Sequence, residues 1–277
     1  MYLYPNALLI VFFLLQTGHA QLPTSRIDSI ILNGIQQQAF PGATILVGHK
    51  DSIIFHKVYG YHTYDSLTKV SKTDLYDLAS VTKILGPLPA LMKLVEEKKL
   101  DLDAPFSNYW KPWQRRKDKK DITLREILAH QAGLTPYIVF LDKVKRKNGR
   151  LKSRFIRKVP SRRFQKQAYD SLFITSRFER KIFRHINRSA VSTEKKYKYS
   201  GLAFLIFPRL IEQLTSQVYE AYLQQNFYLP LGANSLGYTP KRRHLKNPIV
   251  PTEIDTLFRY TTTSGWVHDE NAALLGG

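Results

Sequence analysis

Three times in this chain a serine stands three residues ahead of a lysine: Ser66 with Lys69, Ser80 with Lys83, and Ser192 with Lys195. Such a pair can perform acyl transfer when both side chains share one face of a helix. A serine hydroxyl is a weak nucleophile until a neighbouring base takes its proton, and a lysine serves as that base once desolvation lowers its pKa. Spacing alone does not choose among the three. Ser66 and Lys69 lie in TYDSLTKVSKTD, polar and without periodicity, and Ser192 and Lys195 lie in VSTEKKYK, where dense charge predicts a solvated loop. Ser80 instead precedes Val81, Ile84, Leu85, Leu88 and Leu91, apolar at helical spacing. A helix starting there places Ser80 in its first turn and Lys83 one turn on, where free N–H groups and partial positive charge favour a developing oxyanion. The plain alternative is a serine N-cap followed by an exposed lysine. Taken by itself, this stretch favours that alternative.

The elements around the pair point to a mixed α+β architecture. RIDSIILNGIQQQAF carries Ile27, Ile30, Ile31 and Ile35 at helical spacing, with Asp28 in its first turn. ATILVGHKDSIIFHKVYG reads as a hairpin turning at His49-Lys50-Asp51. The apolar run over 80–98 is interrupted by Gly86, Pro87 and Pro89; each proline removes a backbone donor, so the helix kinks or starts afresh. That interruption costs the Lys83 carbonyl its usual helical partner. DITLREILAHQAGL predicts a short helix with Asp121 or Thr123 near its start and Gly133 past its end. GLAFLIFPRLIEQLTSQVYEAYLQQNFYLPLG supplies one or two more, with Pro208 inside the first, and the stretch from Ala233 to Gly277 shows turn chemistry and no clear strand.

The chain has 277 residues, 43% of them hydrophobic, enough for a packed core. Residues 1–20 hold no Lys, Arg, Asp or Glu; Ala7 to Leu15 is apolar, and Gly18 and Ala20 suit a secretory cleavage site, which predicts export to the periplasm or medium. An N-terminal membrane anchor is the alternative, although a spanning helix needs roughly 18 apolar residues. There is no cysteine, which excludes thiol nucleophiles, disulfides and thiolate metal sites. The histidines show no H-E-x-x-H spacing, and His268, Asp269 and Glu270 read as a polar loop rather than a metal site. Of the net charge of +20, twelve units lie between Lys143 and Lys166, which contains no Asp or Glu. This predicts a basic insertion at about 142–167, either solvated and mobile or docking on an anionic polymer or membrane surface. Nucleic acid is not the expected partner of an exported chain.

What separates the Ser80 pair from the other two is a set of ordered blocks. FPGATILVGHKDSIIFHKVYGY, TDLYDLASVTKILGPLPALMKLVEEKKLDLDAPFSNYWKPW, ITLREILAHQAGL and YKYSGLAFLIFPRLIEQLT, in that order, resemble the serine β-lactamases and penicillin-binding-protein-like hydrolases, especially the class C, D-Ala-D-Ala carboxypeptidase and esterase branch. The resemblance covers most of 26–277. It implies a β-lactamase/transpeptidase-like fold, an antiparallel sheet flanked by helices beside a mostly helical region, across one domain spanning 21–277. It also implies Ser80 as nucleophile, Lys83 as its partner base and Tyr199 as the proton relay, with no cofactor. His130, in AHQAGL, falls in a block between motifs and reads as structural.

Two departures bear on activity. The second motif usually ends in Asn or Asp, whereas Tyr199-Ser200-Gly201 ends in a glycine with no side chain to hold a substrate amide. No Lys-Ser/Thr-Gly or His-x-Gly follows, since TTSG at 262–265 lacks a basic first residue. The expectation is therefore a chain lacking the last strands of the family's sheet. The reaction implied is acyl transfer on a β-lactam, a peptidoglycan stem peptide or a small ester. The alternative is an inactive relative that binds wall polymer or an anionic surface.

Overall fold

Two β-rich runs on either side of a two-residue turn build the first sheet. The computed structural model describes residues 23–243 and 245–275, in two bodies divided after Lys72. The signal-peptide reading of 1–20 lies outside the described residues. In the first body, α1 (Thr24–Gln36) precedes the antiparallel strands β1 (Gly42–His49) and β2 (Ser52–Gly60). The turn falls at Lys50-Asp51 as the sequence predicts, and Lys50 takes φ 51°, the left-handed region that tight hairpins demand. Asp28 lies beyond the first turn of α1 rather than in it. Its carboxylate accepts from Lys57 Nζ at 2.7 Å and Tyr59 OH at 2.6 Å, fastening helix to strand, and these two bonds hold it below the usual carboxylate range. Gly60, at φ 65°, is fixed by crowding, because a Cβ there would lie 2.3 Å from the Pro41 carbonyl.

The second body begins at Thr73, and its first helical turn carries the candidate serine. A 3-10 turn, Ala79–Val81, runs into the single turn α2 (Thr82–Leu85), and Pro87 then opens α3 (Pro87–Glu96), so the prolines restart the helix. Gly86 at the break is required by close approach: a Cβ would sit 2.3 Å from Tyr238 OH and 2.8 Å from Tyr219 OH. Thr123, not Asp121, caps α4 (Leu124–Leu128) in a reciprocal capping box with Glu126.

The basic stretch is not a mobile insertion. It runs through α5 (Leu141–Val144), β3 (Ile156–Arg157) and β4 (Phe164–Tyr169), and with β5 (Leu172–Thr175) it forms a three-stranded antiparallel sheet in the order β3-β5-β4. The reason lies in the apolar residues set between its cations. Val144, Phe155, Ile156 and Phe164 are buried, and the Phe155 ring packs 5.0 Å from Phe178 of α6 (Ser176–Arg188). Several cations also have structural partners. Lys145 Nζ donates to the Leu257 carbonyl at 2.6 Å, Lys152 Nζ to Lys143 at 3.0 Å, and Lys166 pairs with Glu179 at 2.8 Å.

Beyond α6, α7 (Phe207–Thr215) carries Pro208 in its first turn rather than in its interior, and α8 (Tyr219–Leu223) continues into a π-helical turn, Gln224–Tyr228. The stretch expected to lack strands contains β6 (Glu253–Asp255) paired with β7 (Thr261–Thr263), each too short for alternation to show, and ends in α9 (Glu270–Ala273). Within His268-Asp269-Glu270, Asp269 caps α9 by accepting from Ala272 N at 2.7 Å. The core joins Leu91 and Leu94 of α3, Phe178 and Ile182 of α6, and Phe207, Leu210 and Ile211 of α7 around Phe106 and Trp113. The Phe106 ring meets Trp113 edge-on at 5.1 Å and Phe207 at 6.0 Å. No helix among the described residues is long and apolar enough to cross a membrane.

Candidate active site

Ser80 is not used as a helix cap. Its Oγ accepts from Lys83 Nζ at 3.0 Å and from Tyr199 OH at 3.0 Å, so all three side chains singled out in the sequence converge on one oxygen, within the second body. Lys83 Nζ also lies 5.4 Å from the centre of the Tyr199 ring and 5.7 Å from that of Phe204, with the ammonium facing two aromatic rings. The residue before Ser80, Ala79, takes φ 44°, a left-handed conformation that costs energy for any residue with a Cβ. Asp77 holds that turn, accepting from Ala79 N at 2.8 Å through one carboxylate oxygen and from His268 N at 2.9 Å through the other. Because α2 is one turn long and broken at Gly86, a helix dipole contributes little here; the lysine charge dominates.

Tyr199 is positioned by the segment that follows α4. Lys198 N donates to the His130 carbonyl at 2.8 Å, Ser200 N to His130 Nδ1 at 3.3 Å, Ser200 Oγ to the Thr135 carbonyl at 2.7 Å, and Gly201 N to Pro136 at 3.2 Å. The His130 ring lies 4.5 Å from the Tyr199 ring. Burial, together with the Lys83 charge, holds His130 below the usual histidine range, so it is neutral at pH 7 and its Nδ1 is free to accept. Burial pushes the Tyr199 phenol up, but the hydrogen bonds with Lys83 and Ser80 and the lysine charge outweigh it, and the phenol is held below its ordinary 10.0.

Gly201 occupies the third place of its motif for no steric reason. A Cβ built there meets nothing within 4 Å, and its φ is not in the left-handed region. The other two Ser-x-x-Lys pairs are not brought together in this way. Lys195 is engaged by Glu126, and Ser192 Oγ accepts from Glu194 N at 3.1 Å. In TTSG, Ser264 Oγ donates to the Ile249 carbonyl at 2.9 Å. Sequence reasoning missed Asp77 and Phe204; the Asp-x-Ala spacing ahead of Ser80 was the legible sign of an Asx turn. No cluster of three metal-ligating side chains occurs among the described residues.

Comparison with known proteins identifies the family and the fold. The family profile described as Beta-lactamase matches residues 27–247. Protein flp of Staphylococcus aureus (strain MRSA252) is 24% identical over 237 residues, covering 83% of this chain and 41% of that protein. A D-alanyl-D-alanine carboxypeptidase homologue of Salmonella gallinarum is 26% identical over 280 residues, covering 93% of this chain and 59% of that protein. Among solved structures, the octameric penicillin-binding protein homologue from Pyrococcus abyssi aligns with a TM-score of 0.63 at 20% identity, over 92% of this chain and 56% of that one. The chain thus spans about two-fifths to three-fifths of the length of the curated relatives it matches. Its fold is β-lactamase/transpeptidase-like, mixed α+β as the sequence predicts. The profile match takes in serine, lysine and tyrosine alike, and the chain belongs to the beta-lactamase family.

Proposed function

We propose that this chain is an exported serine hydrolase that works through an acyl-enzyme on Ser80. Family membership supports serine hydrolase chemistry in general. The observation that carries the specific reading is the pair of 3.0 Å bonds that bring Lys83 Nζ and Tyr199 OH onto the Ser80 hydroxyl. That oxygen has one proton and two lone pairs. With the phenol deprotonated, Ser80 gives its proton to Tyr199 Oη while Lys83 stabilises the phenolate. Oγ bonds to the substrate carbonyl carbon, the bond to the leaving group breaks, and the leaving group takes the proton back from Tyr199. Water then attacks the acyl-enzyme and regenerates Ser80. Ser80 is an exposed residue, which suits the approach of an acyl donor from solvent.

Esters are the favoured substrates, ahead of β-lactams and stem peptides, because Gly201 offers no side chain to hold an amide. Export rests on the sequence of residues 1–20. A second reading, an inactive binder of wall polymer or an anionic surface through Lys143 to Lys166, draws on the same missing side chain at Gly201. Intact-mass analysis after incubation with a fluorophosphonate or penicillin separates the two. One covalent adduct on the native chain, none on Ser80→Ala, and faster turnover of a p-nitrophenyl ester than of a chromogenic β-lactam are expected. No adduct under conditions that fully label an active relative would retire the hydrolase. Binding to peptidoglycan that weakens steeply with salt would then favour the second reading.

A further inference from the structure

A groove of the second body lies apart from Ser80, Lys83 and Tyr199. It has a volume of about 530 Å³ and lies between the turn at 110–116 and the outer face of α6. That is the size of a small-molecule site. Its floor is aromatic: Trp110, only 5% exposed, meets the Phe183 ring edge-on at 5.9 Å. Its rim is cationic, formed by Arg116, Arg180, Arg184 and Arg188. The last three stand at successive i, i+4 positions of α6, one stripe of the helix with a rise of about 6 Å between neighbours.

Two features set this groove apart from an ordinary charged surface. The first is charge without compensation. Arg116 is paired with Asp118, but among the described residues Arg180, Arg184 and Arg188 have no carboxylate partner. The crowding is felt by neighbours, for Lys181 and His185 are held below their usual ranges by burial and then by surrounding cations, Arg184 among them in both cases. Helix-dipole compensation accounts for Arg188 in the last turn and not for Arg180 in the second. The second is a preset donor. The Asn187 Oδ1 accepts from the Trp110 indole at 2.8 Å and the Trp113 indole at 3.0 Å. Indole nitrogens only donate, so the amide cannot flip, and its NH₂ remains as a fixed donor on the groove wall.

From this we infer that the groove binds a small organic phosphate, with a flat ring against Phe183 at the exposed margin of Trp110 and its anionic head among the guanidiniums of Arg180, Arg184 and Arg188. Guanidinium forks match phosphate oxygens two at a time. A dianion suits three uncompensated charges better than a carboxylate does.

Titration calorimetry on the full chain tests this with phenyl phosphate, inorganic phosphate and phenol as probes. Phenyl phosphate should bind one to one and about ten-fold or more tighter than either half, because each half loses one set of contacts. The double variant Arg180→Gln/Arg184→Gln should weaken it by about ten-fold or more, given the strength of charge-assisted bonds. Both positions are exposed, and an unchanged melting temperature would show that the fold is intact. Lys147→Gln, outside the groove, should change nothing. Equal affinity for phenyl phosphate and inorganic phosphate would overturn the proposal, as would indifference to the double variant. Binding to phosphatidylglycerol vesicles that phenyl phosphate fails to displace would instead make this face a lipid-contacting surface, and would equally overturn it.

Discussion

The turn that carries Ser80 and the sheet that carries the basic stretch invert what their sequences suggest. The first opens an apolar run, yet Val81 is 47% and Ile84 57% exposed, and Ala79 is strained. The second is the most charged part of the chain, yet Phe155 and Ile156 at its centre are 6% and 3% exposed. Exposure follows what a segment does rather than how polar it looks. On the proposed function Ser80 must meet a substrate and so cannot be sealed in the core, whereas cations at the margins of a sheet bury their apolar neighbours at little cost, because their long stems reach solvent or a carbonyl.

If that contrast holds, chemistry and stability should come apart under mutation. Ser80→Ala should lower ester turnover by about 10⁴-fold or more, with a melting temperature within about 2 °C of the native chain, measured by initial rates and calorimetry. Phe155→Ala should do the reverse, costing about 3–5 kcal/mol in denaturant melts at a temperature where the remaining folded protein still labels on Ser80. Tyr199→Phe should reduce turnover by about 10²-fold or more and remove the rise of rate with pH. In the native chain that rise should occur below 10.0, because the active form is the phenolate and its pKa is depressed.

A buried ion pair sharpens the contrast within the second body. Burial pushes the Asp255 carboxyl up, but N–H bonds from Leu257, Phe258 and Arg259 and the Arg259 guanidinium at 2.9 Å outweigh it and hold it below 3.8. A carboxyl depressed on folding stabilises the native state fully above its unfolded value, about 3.9, and that contribution is lost as pH falls through the folded value. Asp255→Asn should therefore cost about 3 kcal/mol at pH 7, with the gap to the native chain closing in acid, followed by urea melts across pH. The smallest effect expected is Gly201→Asn. With open space at its Cβ, it should leave stability within about 0.5 kcal/mol and raise amide over ester turnover by a few-fold.

The sequence made the reacting group legible because its parts are local or lie in ordered blocks. Ser80 and Lys83 are one turn apart, and Tyr199 stands in a motif of its own. The hairpin, the proline restart at α3 and the cap at Thr123 were legible for the same reason, since each is written in adjacent residues. What escaped was non-local or short. The basic stretch folds through apolar residues whose partners lie on α6, and β6 and β7 are three residues each, too brief for a period of two to register. Asp77 gave a local sign through Ala79, but its second partner, His268, could not be read from neighbouring residues.

The reach of that second bond sets an order of events. The Asp77 carboxylate accepts from a backbone N–H 191 residues further along the chain, so the turn bearing the serine is not clamped until the segment around His268 has been made and folded. A half-finished polypeptide would hold the Ser80 hydroxyl loosely, away from Lys83 and Tyr199. On the proposed function, the gathering of Lys83 and Tyr199 onto Ser80 would then be a late step in the folding of this body.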